Sequence, residues 1–196
     1  CPEMLPELKT RAAVMAKATT VIRREAVASG GSPRHAGGGV AYTEYMYTFA
    51  DLQADMARLA RLGAAVYPIG QSVLGHDILC AETGAGDPKI IVTGGIHARE
   101  NVSARLVARQ AFDAAGRRLP GRIYFVPMLN PDGALLIEKG AGIAGEGGAR
   151  LIEINGGSTD FSLWKANIRA VDLNVNFDAR WGTGASNIRY SAPANY

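Results

Sequence analysis

The chain has 196 residues, 47% of them hydrophobic and 20% charged, which suits one globular domain and excludes a fibrous or largely disordered protein. The formal net charge of +3 is too small to indicate a nucleic-acid partner. No apolar run approaches the roughly 18 residues of a transmembrane segment and no secretory signal is recognised, so the compartment stays open.

The first half of the chain predicts two helices and a hairpin. Apolar residues recur at helical spacing over residues 5–27, and glycines predict a loop at 30–39. Thr48 and Asp51 form a capping box, and the helix that follows should end at Gly63. Residues 65–69 and 77–82 then predict an antiparallel pair of strands, with Cys80 as a buried thiol.

The central part alternates between strand and helix. Residues 89–93 are mostly β-branched and predict a strand buried on both faces, a helix follows around 102–111, and 122–128 predict another buried strand. A strand, helix and strand in this order indicate a parallel crossover in an α/β sheet. The remaining predictions are a short helix at 134–139, a glycine-rich loop at 140–148, a possible strand at 149–154 and a short helix or turn at 161–167.

His97 and Glu100 follow the predicted strand at 89–93 and two small residues, Gly94 and Gly95, which could admit a ligand close to the backbone. A catalytic Zn²⁺ usually takes three protein ligands and keeps one position open, so this pair would supply two of the three. The pattern alone leaves a second interpretation open. His97 could be a surface histidine, and Glu100 a carboxylate that interacts favourably with the start of a helix.

Three later motifs favour the metal interpretation. They are Asn-Pro-Asp-Gly at 130–133, Trp-Lys-Ala-Asn at 164–167 and Val-Asp-Leu-Asn-Val-Asn-Phe-Asp at 171–178. With the hairpin at 69–78, in which His76 stands where an arginine is common, they make residues 47–196 resemble the N-terminal and central part of the zinc carboxypeptidase family. The resemblance implies a three-layer α/β fold with a mixed, mostly parallel twisted sheet and helices on both faces. We therefore divide the chain into an N-terminal helix and glycine-rich loop at 1–40, predicted from the residues themselves, and the N-terminal and central part of a zinc-peptidase catalytic domain at 41–196.

The resemblance also implies roles for individual residues. His97 and Glu100 match the first two zinc ligands, and Asp172 matches a carboxylate that hydrogen-bonds the first ligand histidine, although Asp172 could instead be a turn or cap residue. Lys165 stands where the family has an arginine that stabilises the developing oxyanion; a lysine has the charge but not the bidentate fork. Arg169 is a second candidate for that catalytic role, and Lys165 could also be an ordinary surface lysine.

The Asn-Val-Asn triplet at 174–176 departs from the family pattern of Asn-Arg-Asn, whose arginine holds the terminal carboxylate of an exopeptidase substrate. Val175 cannot form that ion pair. Asn174 can still bind substrate, while Arg169, Arg180 or Arg189 would have to supply the charge. The motifs look most like bacterial members that cut cell-wall peptides, including γ-D-glutamyl-diaminopimelate bonds.

Two further parts of the implied site lie later in the family than this chain reaches. They are a third zinc ligand, a histidine, and a general-base glutamate, and the chain has no histidine after His97. We therefore expect a catalytic domain whose C-terminal part is missing, which is inactive alone. Its exposed sheet would need that missing half, an oligomer or another partner.

The sequence thus favours a zinc-dependent peptidase that acts on a peptide substrate. The alternative is a non-catalytic module that binds peptide or glycan and retains the carboxypeptidase fold. Val175 and Lys165 give that alternative some support, whereas His97, Glu100 and Asp172 count against it.

Overall fold

The computed structural model describes residues 46–178 and 191–194. The predicted helix at 5–27, the glycine-rich loop at 30–39, Arg180 and Arg189 lie outside the described residues, and the division at residue 40 stays a prediction.

The described ranges contain four α-helices and four strands. In chain order they are α1 (Phe49–Arg61), β1 (Ala65–Gln71), β2 (Asp77–Gly84), β3 (Lys89–Thr93), α2 (Asn101–Ala114), β4 (Arg122–Val126), α3 (Pro131–Lys139) and α4 (Gly148–Ile154). Two 3-10 segments, Ala141–Gly147 and Leu173–Val175, complete the regular structure. None of the helices described is both long and apolar enough to cross a bilayer.

The four strands form one mixed sheet in the order β1-β2-β4-β3. The predicted hairpin is confirmed, since β1 and β2 are antiparallel, and so is the crossover, since β3 and β4 are parallel. The α/β class with a mixed sheet is therefore confirmed. Parallel pairing does not predominate among these strands, however. The pairing of β2 with β4 is also antiparallel, so two of the three pairings are antiparallel and one is parallel.

The main core lies between one face of the sheet and the two long helices. Helix α1 begins at the predicted capping box, in which Thr48 Oγ1 accepts the Asp51 N–H and the Asp51 side chain accepts the Thr48 N–H. Leu52 and Leu59 of α1 and Ala108 of α2 are buried in the same cluster as strand residues. Because both helices pack on this face, they fix the position of the loop between β3 and α2.

Two predictions about strands were wrong. Strand β3 is not buried on both faces, because it lies at the edge of the described sheet and its residues are half-exposed or exposed. Residues 149–154, predicted as a possible strand, belong to helix α4. Leu151 alone in this stretch is fully buried, and Arg150 pairs with Glu153 at 2.6 Å, at the i,i+3 spacing that favours a helix.

Candidate functional site

The loop that follows β3 begins with Gly94, at a position that has no room for a larger residue. The Gly94 N–H donates to the Val126 carbonyl at 2.9 Å and so extends the pairing of β3 with β4. A Cβ added to Gly94 would lie 2.6 Å from the Ser103 carbonyl oxygen and 2.8 Å from that of Pro127. The expectation that Gly94 admits a ligand is therefore corrected, because the close approach of α2 and the end of β4 already fills this space.

Ser103 holds the same loop against the first turn of α2. Its hydroxyl accepts the Gly95 N–H at 2.9 Å and donates to the Glu100 carbonyl at 2.7 Å. Gly95 has a φ of 57°, which glycine adopts without strain. Sequence reasoning missed Ser103, since a serine in the first turn of a helix is common and carries no distinctive signal.

His97 lies between two carboxylates. Its Nδ1 is 2.8 Å from Glu100 Oε2, and its Nε2 is 3.1 Å from Asp172 Oδ1. Glu100 occupies the N-cap position of α2, yet its side chain makes no capping hydrogen bond. The carboxylate is thus directed toward His97. The alternative interpretation would instead have it bond the free N–H groups at the start of α2.

This arrangement suits a cation beside Nδ1. If Nε2 carries the ring proton and donates it to Asp172, Nδ1 presents a lone pair toward Glu100 Oε2, which is also an acceptor. Two acceptors at this separation attract a shared positive ion, and an imidazole nitrogen with a carboxylate oxygen is a donor set that Zn²⁺ accepts. The side chain of Glu100 is 44% exposed, whereas that of His97 is 10% exposed, so the pair faces solvent on the glutamate side.

Asp172 is buried and is surrounded by groups that stabilise its charge. Besides His97, Lys165 Nζ lies 3.5 Å from Oδ2, and the Asn174 N–H donates to Oδ1 at 3.0 Å. The side chain is 1% exposed, and a carboxylate buried to this degree requires such partners. The structure therefore brings together four of the residues singled out in the sequence: His97, Glu100, Lys165 and Asp172.

Backbone hydrogen bonds join the two segments that carry these side chains. Ala98 N–H donates to the Lys165 carbonyl at 3.1 Å, and Arg99 N–H donates to the Trp164 carbonyl at 3.0 Å. Trp164 is fully buried beneath this connection. The distance between His97 and Lys165 is therefore set by main-chain contacts and by a packed aromatic ring.

Asn130 adds a third connection that sequence reasoning did not assign. Its Nδ2 donates to the Ala166 carbonyl at 3.0 Å, while its Oδ1 accepts the Gly133 N–H and caps α3. An asparagine followed by proline just after a strand is itself a signal of a helix cap. No sequence pattern of this kind indicates the hydrogen bond from Asn130 to the Ala166 carbonyl, which lies 36 residues later in the chain.

Of the other predicted site residues, Arg169 lies apart from this cluster, and Asn174 contacts it through its backbone. Arg169 is exposed and lines a separate cavity, to which His97, Glu100, Lys165 and Asp172 do not contribute. Asn174 contacts Asp172 through its backbone, and its side chain is exposed. Arg180 lies outside the described residues. Among the residues described, no three histidine, cysteine, aspartate or glutamate side chains form a group that could hold a metal ion.

A second polar cluster anchors the β1–β2 turn. The buried carboxylate of Asp132 accepts hydrogen bonds from Ser72 Oγ at 2.7 Å and from the Leu74 N–H at 2.9 Å, and its Oδ1 lies 2.7 Å from His76 Nδ1. The ring of His76 also contacts that of Phe49 edge-on. Asp132 thereby fixes the turn relative to the start of α3.

Comparisons with known proteins agree with the architecture and the motifs. The family profile described as zinc carboxypeptidase matches residues 42–195. The chain is 34% identical over 145 residues to γ-D-glutamyl-L-diamino acid endopeptidase 1 of Lysinibacillus sphaericus, a match that covers 66% of this chain and 37% of that protein. It is 28% identical over 130 residues to an uncharacterized Bacillus subtilis protein, covering 58% of this chain and 35% of the relative.

The structure also resembles that of carboxypeptidase A from Helicoverpa armigera, with a TM-score of 0.59 and 18% identity. The similarity covers 97% of this chain and 44% of the solved one, and at this identity it concerns the fold alone. The chain thus spans less than half the length of each of these relatives.

Proposed function

Because the chain belongs to the zinc carboxypeptidase family, we propose that His97 and Glu100 are two of the protein ligands of its Zn²⁺ and that the protein hydrolyses peptide bonds. The predicted cofactor, Zn²⁺, is confirmed by that membership. The observation that carries the assignment of ligands is the position of His97, which has Glu100 beside Nδ1 and Asp172 beside Nε2. When bound, Zn²⁺ polarises the scissile carbonyl and makes a water molecule a stronger nucleophile.

The residues of this chain orient and stabilise the reacting groups. With the metal beside Nδ1, the Nε2 of His97 would carry the ring proton and donate it to Asp172 Oδ1, 3.1 Å away, which would fix the tautomer and the orientation of the ring and make Nδ1 a better donor. The ammonium of Lys165 places a positive charge 3.5 Å from Asp172, at the edge of the site. In the proposed reaction this ammonium stabilises the negative charge that develops on the carbonyl oxygen.

We propose further that cleavage is endopeptidic and that the substrate is a bacterial cell-wall peptide. Val175 has no charge with which to hold a terminal carboxylate, and this removes a main determinant of exopeptidase specificity. A relative that is 34% identical bears the name γ-D-glutamyl-L-diamino acid endopeptidase. Both observations favour an internal bond, next to a γ-linked D-glutamyl residue, as the point of attack.

The proposal is tested with the full-length protein and two γ-D-glutamyl-diaminopimelate peptides that differ only at the C-terminus, as a free carboxylate or an amide. An endopeptidase without a carboxylate clamp should cleave both at rates within about threefold of each other. The Glu100→Gln variant should cleave neither. Mass spectrometry of the products identifies the bond that is cut.

Cleavage of the free-carboxylate peptide alone would contradict the endopeptidase assignment. Binding of both peptides without any hydrolysis would favour the non-catalytic module. If Glu100→Gln retained the wild-type rate, the assignment of Glu100 as a metal ligand would be wrong.

A further inference from the structure

A cavity of about 330 Å³ lies between the β1–β2 turn, helix α4 and the loop that precedes Asp172. Its walls are mainly apolar, and two arginines lie among them. The residues that line it include Val73, Leu74, Leu151, Ile168, Arg150 and Arg169. The size is at the lower end of the range of about 300–1,000 Å³ for small-molecule sites. A ligand for this space needs an aliphatic portion and negative charge.

The loop that carries Arg169 is held firmly by its own hydrogen bonds. Asn167 Oδ1 accepts the N–H groups of Arg169 at 2.9 Å and of Val171 at 3.0 Å, and Asn167 N–H donates to the Val171 carbonyl at 2.8 Å. Ala170, between them, is fully buried at a φ of 58°. Since the backbone on both sides is fixed, Arg169 projects from a rigid support, which lowers the entropic cost of binding a ligand.

The two arginines differ in their surroundings. Arg150 pairs with Glu153 at 2.6 Å. Within the ranges that the structure describes, no carboxylate lies within ion-pair distance of Arg169. Arg169 therefore offers its guanidinium fork to an external carboxylate, which is the group that this fork binds in bidentate fashion.

The opposite wall is fixed as well. Leu74 lies in the turn that Asp132 holds through the Leu74 N–H, and Leu151 is buried in α4. The cavity therefore needs little rearrangement to receive an aliphatic chain, and its apolar surface favours the burial of such a chain.

We propose that this cavity is a substrate subsite and that Arg169 binds the free α-carboxylate of the γ-linked D-glutamyl residue, whose methylene groups pack against Leu74 and Ile168. The inference rests on the proposed function, because it takes the peptide as the occupant. Arg169 lies four residues after Lys165 and three before Asp172, so one segment carries both the subsite and the reaction centre. Arg169 then determines specificity and is not a catalytic residue; of the two roles that the sequence suggested for it, this is the binding of a substrate carboxylate.

The test measures binding apart from turnover. In the full-length protein, Glu100→Gln blocks hydrolysis, and calorimetry gives the Kd of a γ-D-glutamyl-diaminopimelate peptide and of its counterpart in which only the glutamyl α-carboxylate is an amide. The carboxylate peptide should bind about tenfold more tightly, as expected for one charge-assisted contact. Adding Arg169→Gln should remove this preference, and Arg169→Lys should restore part of it.

Arg61→Gln, a change of an exposed arginine at the end of α1, is the matched control and should leave the preference intact. Equal affinity for the two peptides, or a preference that survives Arg169→Gln, would overturn the subsite. The proposed function is judged separately, by hydrolysis in the wild-type protein. A protein that shows the preference but cleaves neither peptide would refute the peptidase and leave the subsite standing.

Discussion

Two carboxylates face the nitrogens of His97, and they differ in burial. The side chain of Asp172 is 1% exposed and that of Glu100 is 44% exposed. Asp172 is therefore suited to fix the imidazole permanently, whereas Glu100 is accessible to a metal ion and to a substrate. This division of tasks gives the site a rigid side and an open side.

The structure predicts that the thiol of Cys80 reacts slowly with alkylating reagents. It is 1% exposed, and burial raises the pKa of the thiol to about 11. The thiolate is the reactive species, so iodoacetamide at about pH 8 should modify Cys80 at least about 100-fold more slowly in the native protein than in the urea-unfolded protein.

Quantitative mass spectrometry of the peptide that contains Cys80 measures both rates. Similar rates in the two states would show that Cys80 is accessible and that strand β2 is not packed as described. The expectation of a buried strand thiol, made from the neighbouring apolar residues, is confirmed by its position in β2.

Sequence motifs singled out four residues whose side chains the structure places in one cluster, while their roles stay predictions. His97, Glu100, Lys165 and Asp172 were identified from motifs, and they lie together. Arg169 was named as a second candidate for the role of Lys165. The structure separates the two, because the turn fixed by Asn167 directs Arg169 to another cavity, and the spacing of residues does not encode that direction.

At the scale of elements, Glu138 connects the end of α3 with the start of α1. Its Oε1 accepts the Phe49 N–H at 2.8 Å, one of the N–H groups that a helix start leaves without an internal partner. Burial raises the pKa of Glu138, and the hydrogen bond from Phe49 opposes part of that effect. The contact therefore stabilises α1, while the charge on Glu138 carries a desolvation cost.

The sign of the pH dependence follows from the raised pKa. The folded protein binds the Glu138 proton more tightly than the unfolded protein, so the associated stability is present below the unfolded pKa and is lost as pH rises through the folded value. Glutamine keeps the acceptor oxygen without the charge. The free energy of unfolding of Glu138→Gln should therefore rise relative to that of the wild type as the pH is raised from about 4 to about 7. Urea unfolding of the full-length protein at the two pH values measures this difference.

Glu138→Ala is the companion variant, because it also removes the acceptor. It should cost about 1 kcal/mol relative to Glu138→Gln at both pH values. If Glu138→Gln and wild type changed in parallel with pH, burial would not be the main influence on this carboxyl group.

Elements were predicted well where a local signal marked their ends. The capping box at Thr48 and Gly63 after the helix gave α1 to within a few residues, and the turn at 70–76 gave the hairpin. Helix α4 was mistaken for a strand because a short stretch with Leu151, Ile152 and Ile154 suits either structure. Its helical state depends on Leu151 packing against the cluster around Trp164, which only the folded chain brings near.

At the scale of the whole molecule, the order β1-β2-β4-β3 brings the loops after β3 and β4 side by side. His97 follows β3 and Asn130 follows β4, and in α/β sheets ligands bind beyond these carboxyl ends. Asn130 then holds the segment of Lys165 and Asp172 against them through the Ala166 carbonyl. The parallel pair was predictable from the strand, helix and strand pattern, whereas the position of β2 between β1 and β4 was not.

The chain spans 37% of the endopeptidase and 44% of the carboxypeptidase structure that it resembles. Strand β3 pairs on one side only within the described sheet, and such an edge readily accepts another strand. The expected covering of this sheet, by further polypeptide or by an oligomer, stays a prediction. The third zinc ligand and the general base that the family resemblance implies also stay predictions.

Metal analysis of the full-length protein tests most directly whether His97 and Glu100 hold the zinc ion. After dialysis against zinc-free buffer at neutral pH, the wild-type protein should retain stoichiometric zinc by mass spectrometry, and His97→Gln should retain little, because it loses the imidazole donor. His76→Gln, a histidine change outside the site, should retain zinc as the wild type does. Stoichiometric zinc in His97→Gln, or none in the wild type, would contradict the assignment.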